Sequence, residues 1–384
     1  MPSRRVRLWR SESRPVEIDG QEVLLPVSAD TPGRGLTGQI GPLIEAIAGC
    51  DGPVIDLCGW EGGLARAIQA ARPDLGGACA NFTLPAIRTA IENLGDTNWT
   101  VVPGFGAPSD RYGGYQTAVL RAPHWLGNRA VAALIRNAAT ALRPGGQLWL
   151  AGERKRGIET FRRLAGEAFG GAETVLKKRH VRVVRVVRVR GDTVPETPEQ
   201  ATYRVALGDR EFVLAGHPAV FSDGRIDPAT QLLAETLPEV AGRQLDFGCG
   251  SGVVTVGLVR RSPAARTTAI DANLAAVTTT RRTLRLSEID GVEVGGSYFA
   301  EELPNRSFDL VACYPPFHVG GGVNHAVGKR MLAAAARLLN PGGVLHVVLS
   351  SAQAYEGVLH EHFHEVVPLV ATDRHRVLVG RRAR

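Results

Sequence analysis

The sequence predicts an α/β fold made of two tandem, duplicated domains, each a mainly parallel sheet with helices on both faces. Three observations carry this. A short apolar strand, a glycine-rich turn and a helix occur in that order at residues 54–71 and again from residue 244. The match continues along the chain at a nearly constant offset: 190 for Asp56 with Asp246 and for Asn81 with Asp271, 193 for 115–119 with 308–312, and 197 for 142–146 with 339–343. Between these landmarks, β-branched runs alternate with helical stretches of about ten residues or more, the pattern of right-handed crossovers. A period this long is a domain duplication and not a solenoid.

Taken in order, the first domain spans 1–190. Its run from Lys177 to Arg190 alternates valine with Arg and Lys, so it reads as a strand. That strand is either an edge guarded by charge, the preferred reading, or a contact for RNA phosphates. Residues 191–201 are rich in Pro, Thr and acid without apolar periodicity, and read as a linker. The second domain, 202–384, opens on two alternating segments around Gly208-Asp209, a β-hairpin. Strands are expected at 266–270, 308–313 and 344–349, and helices from Val253, at 275–286 and at 325–339. Pro-Gly-Gly at 144–146 and 341–343 is expected to stop a helix ahead of the next strand.

Composition narrows the function. The chain has 384 residues, 44% of them hydrophobic and 22% charged, which argues against wholesale disorder. No apolar run approaches the roughly 20 residues of a membrane span, so no membrane partner is expected. The net charge of +7 suits an anionic partner, although 41 of the 45 basic residues are Arg, a skew that coding bias alone would give. The five cysteines are scattered with no C-x-x-C pair, which speaks against a disulfide framework and fits a reducing cytosol. The basic N-terminus is followed by no apolar core of a signal peptide, so the expected location is cytoplasmic. His360-Glu-His-Phe-His364 lacks a completing ligand pattern, so no metal is expected. The arginine-rich C-terminus from Arg376 reads as a solvated tail with general RNA affinity as the alternative.

Two motifs carry chemistry. In Asp246-Phe-Gly248-Cys249-Gly250-Ser-Gly252 a strand ends in spaced glycines and opens a helix, so backbone N–H groups approach a ligand closely. Asp271, 25 residues after Asp246, falls at the next strand end, where a carboxylate accepts from both ribose hydroxyls. A dinucleotide site is the competitor, but its third glycine would fall at Val253; a tight turn with no ligand is the plainer alternative. The second motif is Cys313-Tyr314-Pro315-Pro316-Phe317-His318, directly after a strand. Two prolines cannot extend the ladder, so they form a stiff corner; Phe317 is either a stacking surface for a planar base or a core residue.

These residues resemble a class I S-adenosyl-L-methionine-dependent methyltransferase, specifically the bacterial small-subunit ribosomal RNA (guanine-N2) methyltransferase C family. The resemblance rests on Ala219-Val-Phe-Ser222, Asp227-Pro-Ala-Thr-Gln-Leu-Leu233, the glycine turn, Asp271 and Pro315-Pro-Phe-His-Val-Gly-Gly321. It implies two Rossmann-like methyltransferase domains, the first degenerate. It also implies that Gly248, Gly250 and Gly252 line the methionine part of the cofactor, that Asp246 and Cys249 belong to the cofactor site, that Asp271 holds the ribose and that Ser297 lies by the adenine. Tyr314, Pro315, Pro316 and Phe317 would form the catalytic corner, with the Pro315 carbonyl accepting an amino N–H. The partner implied is ribosomal RNA or the small ribosomal subunit, and a monomer is favoured. The first half has Cys58, Trp60 and Asn81 at the positions of Gly248, Gly250 and Asp271, so it is expected to bind no cofactor.

One position departs from the family. Amino-methylating relatives begin the proline motif with Asn, Asp or Ser, whose oxygen orients a weakly nucleophilic amine by accepting its N–H. Tyr314 stands there instead, with an oxygen farther from the backbone that also donates. Three readings stay open: an active guanine-N2 methyltransferase, an impaired protein that binds cofactor and RNA, or a methyltransferase with another planar acceptor.

Overall fold

The computed structural model describes residues 12–18, 21–27, 37–111, 113–188, 201–316, 318–319, 322–323, 325–350 and 355–383. The chain divides into two compact units, Met1–Glu196 and Thr197–Arg384. The predicted linker, but for Ala201, lies outside the described residues.

In the second unit a seven-stranded sheet runs in the order Glu293–Gly296, Arg266–Asp271, Arg243–Phe247, Phe308–Cys313, Leu339–Ser350, His375–Arg381, Glu365–Ala371. The first five are mutually parallel, and His375–Arg381 runs antiparallel to both its neighbours, so it alone opposes the other six. Central strands are buried on both faces, as crossover helices require: Leu245, Leu310, Val311, Ala312, Leu345 and Val347 are each 0% exposed. The hairpin forms as expected, Thr202–Leu207 against Arg210–Ala215 with Leu207 paired to Arg210 across the two-residue turn.

The first unit repeats this topology strand for strand: Trp99–Pro103, Gly77–Asn81, Val54–Asp56, Tyr115–Arg121, Leu142–Glu153, Val181–Val187, Glu173–Lys178. The duplication extends to an irregularity. In each sheet the strand carrying Pro-Gly-Gly begins before that tripeptide, and the register jumps around it, from Tyr115↔Leu142 to Thr117↔Gln147 and from Phe308↔Leu339 to Leu310↔Val344. The helices stop just ahead of Pro-Gly-Gly, at Ala141 and Leu338, as expected, but the tripeptide itself lies inside the strand as a bulge of three extra residues. Neighbouring backbone makes this possible, because Arg188 and Arg382 exchange hydrogen bonds with the bulge glycines.

The valine-rich run is corrected as well. It turns back at Arg179-His180, so Lys177 and Lys178 end the outermost strand while Val181–Val187 lies one place inward. Among the described residues no helix is long and apolar enough to cross a membrane.

Candidate active site

In the second unit the strand order reverses at Arg243–Phe247, which lies between Arg266–Asp271 and Phe308–Cys313. Loops leaving such adjacent strands diverge and open a crevice at their carboxyl ends. A cavity of about 610 Å³ lies there, within the usual range for small-molecule sites. Asp246, Gly248, Cys249, Gly250, Asp271, Ser297, Tyr314, Pro315 and Pro316 all line it. Two motifs about 60 residues apart in sequence therefore meet in one space.

The glycine turn is built around one carboxylate. Gly248 and Cys249 donate their N–H groups to the Ile270 carbonyl at 2.8 and 3.0 Å. Gly250 N–H donates to Asp271 Oδ2 at 3.0 Å, and Asn273 N–H to Oδ1 at 2.8 Å. Each oxygen keeps a further lone pair for a ligand hydroxyl. Burial pushes the Asp271 carboxyl up, against the pull of the Asn273 and Gly250 amides. Ser297 N–H donates to the Asp271 carbonyl at 3.0 Å, and its hydroxyl donates to Glu302.

Gly252, expected to contact the ligand, is not among the residues that line the cavity. It caps the helix Val253–Arg261 at φ 91°, and a Cβ there would stand 3.2 Å from Thr280 Cγ2 and 3.3 Å from its Cα. Its job is close packing of two helices.

Asp246 lies under the turn, 1% exposed, accepting the Thr255 hydroxyl at 2.6 Å. Burial pushes its carboxyl up to about 7, with the Thr255 hydrogen bond opposing. The folded chain thus holds this proton more tightly than the unfolded chain. The associated stability is full below about pH 4 and is lost as pH rises through about 7. Between pH 5 and 8, urea unfolding should show the wild type losing on the order of 2 kcal/mol relative to Asp246→Asn. Parallel pH curves for the two proteins would contradict this.

Beyond Asp271, Tyr298 and Phe299, which no sequence motif announced, also line the cavity. Phe299 and Ala300 both adopt left-handed backbone, φ 59° and 53°. Arg337 pins this turn, donating to the Ala300 carbonyl at 2.6 Å, the Leu303 carbonyl at 3.0 Å and Asn305 Oδ1 at 2.6 Å. Arg330 lies over the Phe299 ring, 4.1 Å from its centre. The wall is assembled from distant residues with no local motif to announce it.

At the other end stands Tyr314. Its hydroxyl makes no hydrogen bond among the described residues. Burial, then the nearby Asp227 carboxylate, pushes its phenol up to about 12, so it is neutral at physiological pH. The Phe221 ring meets the Tyr314 ring edge-on, with centres 6.1 Å apart. Pro316 is fixed by Tyr355, a fully buried side chain whose hydroxyl donates to the Pro316 carbonyl at 3.4 Å. Phe317 lies outside the described residues.

The first unit keeps the scaffold and fills the equivalent space. Gly59 N–H donates to the Ala80 carbonyl and Gly104 N–H to the Asn81 carbonyl, at 3.0 and 2.7 Å, mirroring the bonds made by Cys249 and Ser297. Trp60 sits at φ 50° where Gly250 sits at 55°. Its ring, 3% exposed, packs against Trp125 and Phe82 with centres 4.9 and 5.9 Å apart, and Phe82 packs on Phe105. Arg121, aligned with Tyr314, is 4% exposed. Its charge opposes the burial that pushes Asp56 up to about 6.

A family model described as "Methyltransferase small domain" matches residues 211–379. "Ribosomal RNA small subunit methyltransferase C" of Pseudomonas aeruginosa (strain LESB58) is 33% identical over 277 residues, which is 71% of this chain and 80% of the relative. The protein of that name from Shewanella amazonensis is 28% identical over 246 residues, 64% of this chain and 72% of its own. A solved 16S rRNA N2 guanine methyltransferase from T. thermophilus, in complex with AdoMet and guanosine, superposes with a TM-score of 0.74 at 25% identity, covering 97% of this chain and 98% of that one. Reading, fold and relatives agree: the chain belongs to the ribosomal RNA small subunit methyltransferase C family.

Proposed function

We propose that the protein transfers a methyl group from S-adenosylmethionine to the exocyclic amine, N2, of a guanine in small-subunit ribosomal RNA. The observation that carries this is the single cavity bounded at one end by Asp271 and the glycine turn and at the other by Tyr314-Pro315-Pro316.

The residues present fit the cofactor. A Cβ placed at Gly250 would meet no atom within 4 Å, so the turn borders open space. Asp271 would accept from a ribose diol, Ser297, Tyr298 and Phe299 would hold a planar base, and Asp246 sits under the turn. When bound, S-adenosylmethionine supplies a methyl group made electrophilic by its sulfonium.

The chain's part is orientation. A guanine amine delocalises its lone pair into the ring and attacks poorly. An oxygen accepting one N–H favours the pyramidal form whose lone pair points outward, an electrostatic and positional effect. The Tyr314 hydroxyl, uncommitted and neutral, supplies that acceptor at the stiff proline corner. No strong base is needed, because the proton departs from nitrogen after it has gained the methyl group and become acidic. The rate should therefore show no Tyr314 ionisation below about pH 11.

The reading is tested by nucleoside mass mapping of ribosomal RNA from a strain lacking the gene. Loss of one N2-methylguanosine from the small-subunit RNA, restored by the wild-type gene, is expected. An unchanged small-subunit map would refute it.

A further inference from the structure

The cavity's outer rim holds an exposed aromatic that the mechanism above does not use. Phe221 is 64% exposed, an unusual position for a ring of this size in a unit with a well-packed core. It sits on a tight turn closed by the Arg225 N–H to Ser222 carbonyl bond of 3.0 Å. Ser222 adopts a left-handed backbone, φ 58°, a conformation that costs energy in a residue with a side chain and persists only where its surroundings hold it.

The surroundings do hold it. A Cβ at Gly224 would lie 2.2 Å from the Tyr203 ring and one at Gly216 2.6 Å from it, so the ring is wedged against two glycines of this segment. Tyr203 belongs to the strand Thr202–Leu207 of the hairpin. The hairpin is thus a buttress for the turn. Arg225, on the same turn, is exposed and lines the cavity, and its guanidinium makes no hydrogen bond or ion pair among the described residues.

Asp271 ends one strand, Phe247 the next and Cys313 the one after, so Tyr314 starts about two strand spacings, roughly 10 Å, from Asp271. Phe221 meets the Tyr314 ring, while Ala219 behind it accepts a hydrogen bond from the Asn273 side-chain amide at 2.8 Å. An exposed ring presented beside the reacting corner, with an unpaired cation a few residues on, matches the two things a nucleotide offers, a flat base and a phosphate. Resting on the functional reading above, we infer that the 221–225 turn is the seat of the acceptor nucleotide: Phe221 stacks the displaced guanine and Arg225 pairs with an adjoining phosphate. Phe221 is then a substrate-positioning residue that selects single-stranded or flipped bases by shape, while Tyr314 orients the amine.

The test uses the full chain saturated with S-adenosylhomocysteine and a short single-stranded RNA carrying one guanine, followed by fluorescence anisotropy. Phe221→Ala should weaken RNA binding roughly 10- to 100-fold, the range for loss of one stacked base, and Phe221→Tyr should restore most of it. Arg225→Gln should flatten the salt dependence of binding by about one phosphate contact. S-adenosylhomocysteine affinity should not move in any variant, and KM for small subunits from the deletion strain should rise for Phe221→Ala with kcat held. Equal RNA affinity for wild type and Phe221→Ala, or no RNA binding by the wild type, overturns the inference; so does an equal loss of S-adenosylhomocysteine binding, which marks a merely structural ring. Wild-type protein that binds RNA through Phe221 yet methylates no guanine would sink the functional reading and leave this seat in place.

Discussion

Gly250→Trp should abolish S-adenosylhomocysteine binding and leave a folded chain. The first unit already contains the experiment: Trp60 holds at φ 50° the backbone conformation that Gly250 holds at 55°, and its indole lies in the space equivalent to the cofactor crevice. A Cβ at Gly250 meets nothing within 4 Å, so the ring enters the open cavity and not the core. Left-handed backbone with a side chain costs on the order of 1–2 kcal/mol, which for a unit of this size lowers Tm by a few degrees. Calorimetric titration should therefore show no heat of binding, with circular dichroism retaining the wild-type spectrum. Affinity within about tenfold of the wild type would mean that the glycine turn does not border the ligand.

Tyr314→Phe should lower kcat on the order of 10²- to 10³-fold, the cost of deleting one oriented polar partner from a reacting group. The ring, its packing against Phe221 and the proline corner persist in this variant, and only the hydroxyl is lost. S-adenosylhomocysteine affinity should be unchanged, because Asp271 and the glycine turn lie farther along the sheet edge. Tyr314→Asn separates an adapted catalyst from a lapsed one. An adapted active site loses activity with Asn, whose shorter side chain does not reach the point the phenol oxygen occupies. A lapsed one shows no change with Phe and a large gain with Asn, and that pair of results would move the protein to the second reading, cofactor and RNA binding with little turnover.

What could be read from the chain was whatever is local and periodic. The glycine turn, the carboxylate at the next strand end, the hairpin around Gly208-Asp209 and the doubled layout depend on residues close in sequence, and each takes the expected place. Pro-Gly-Gly resembles a helix stop because its neighbours before it are helical; that it is a bulge depends on strand partners such as Arg188 and Arg382, about 40 residues away. Gly252 continues the spacing of Gly248 and Gly250, but its close packing on Thr280, which belongs to another helix, was not legible. Arg225, Tyr298 and Phe299 escaped because nothing in their local sequence marks them, and Phe221, although inside the matching stretch 219–222, carried no sign of its place; the cavity brings the four together from two separate loops. The bulk in the first unit's crevice was legible as a substitution, Trp60, but the aromatic packing by Phe82, Phe105 and Trp125 was not.

The proposed methyl transfer requires one crevice per chain open to the cofactor. Isothermal titration of the purified full-length protein with S-adenosylhomocysteine reads this as a stoichiometry. One molecule bound per chain is the predicted result. A value of two would mean that Trp60 does not close the first site, and a value of zero would mean that the glycine turn beside Tyr314 holds no nucleoside at all.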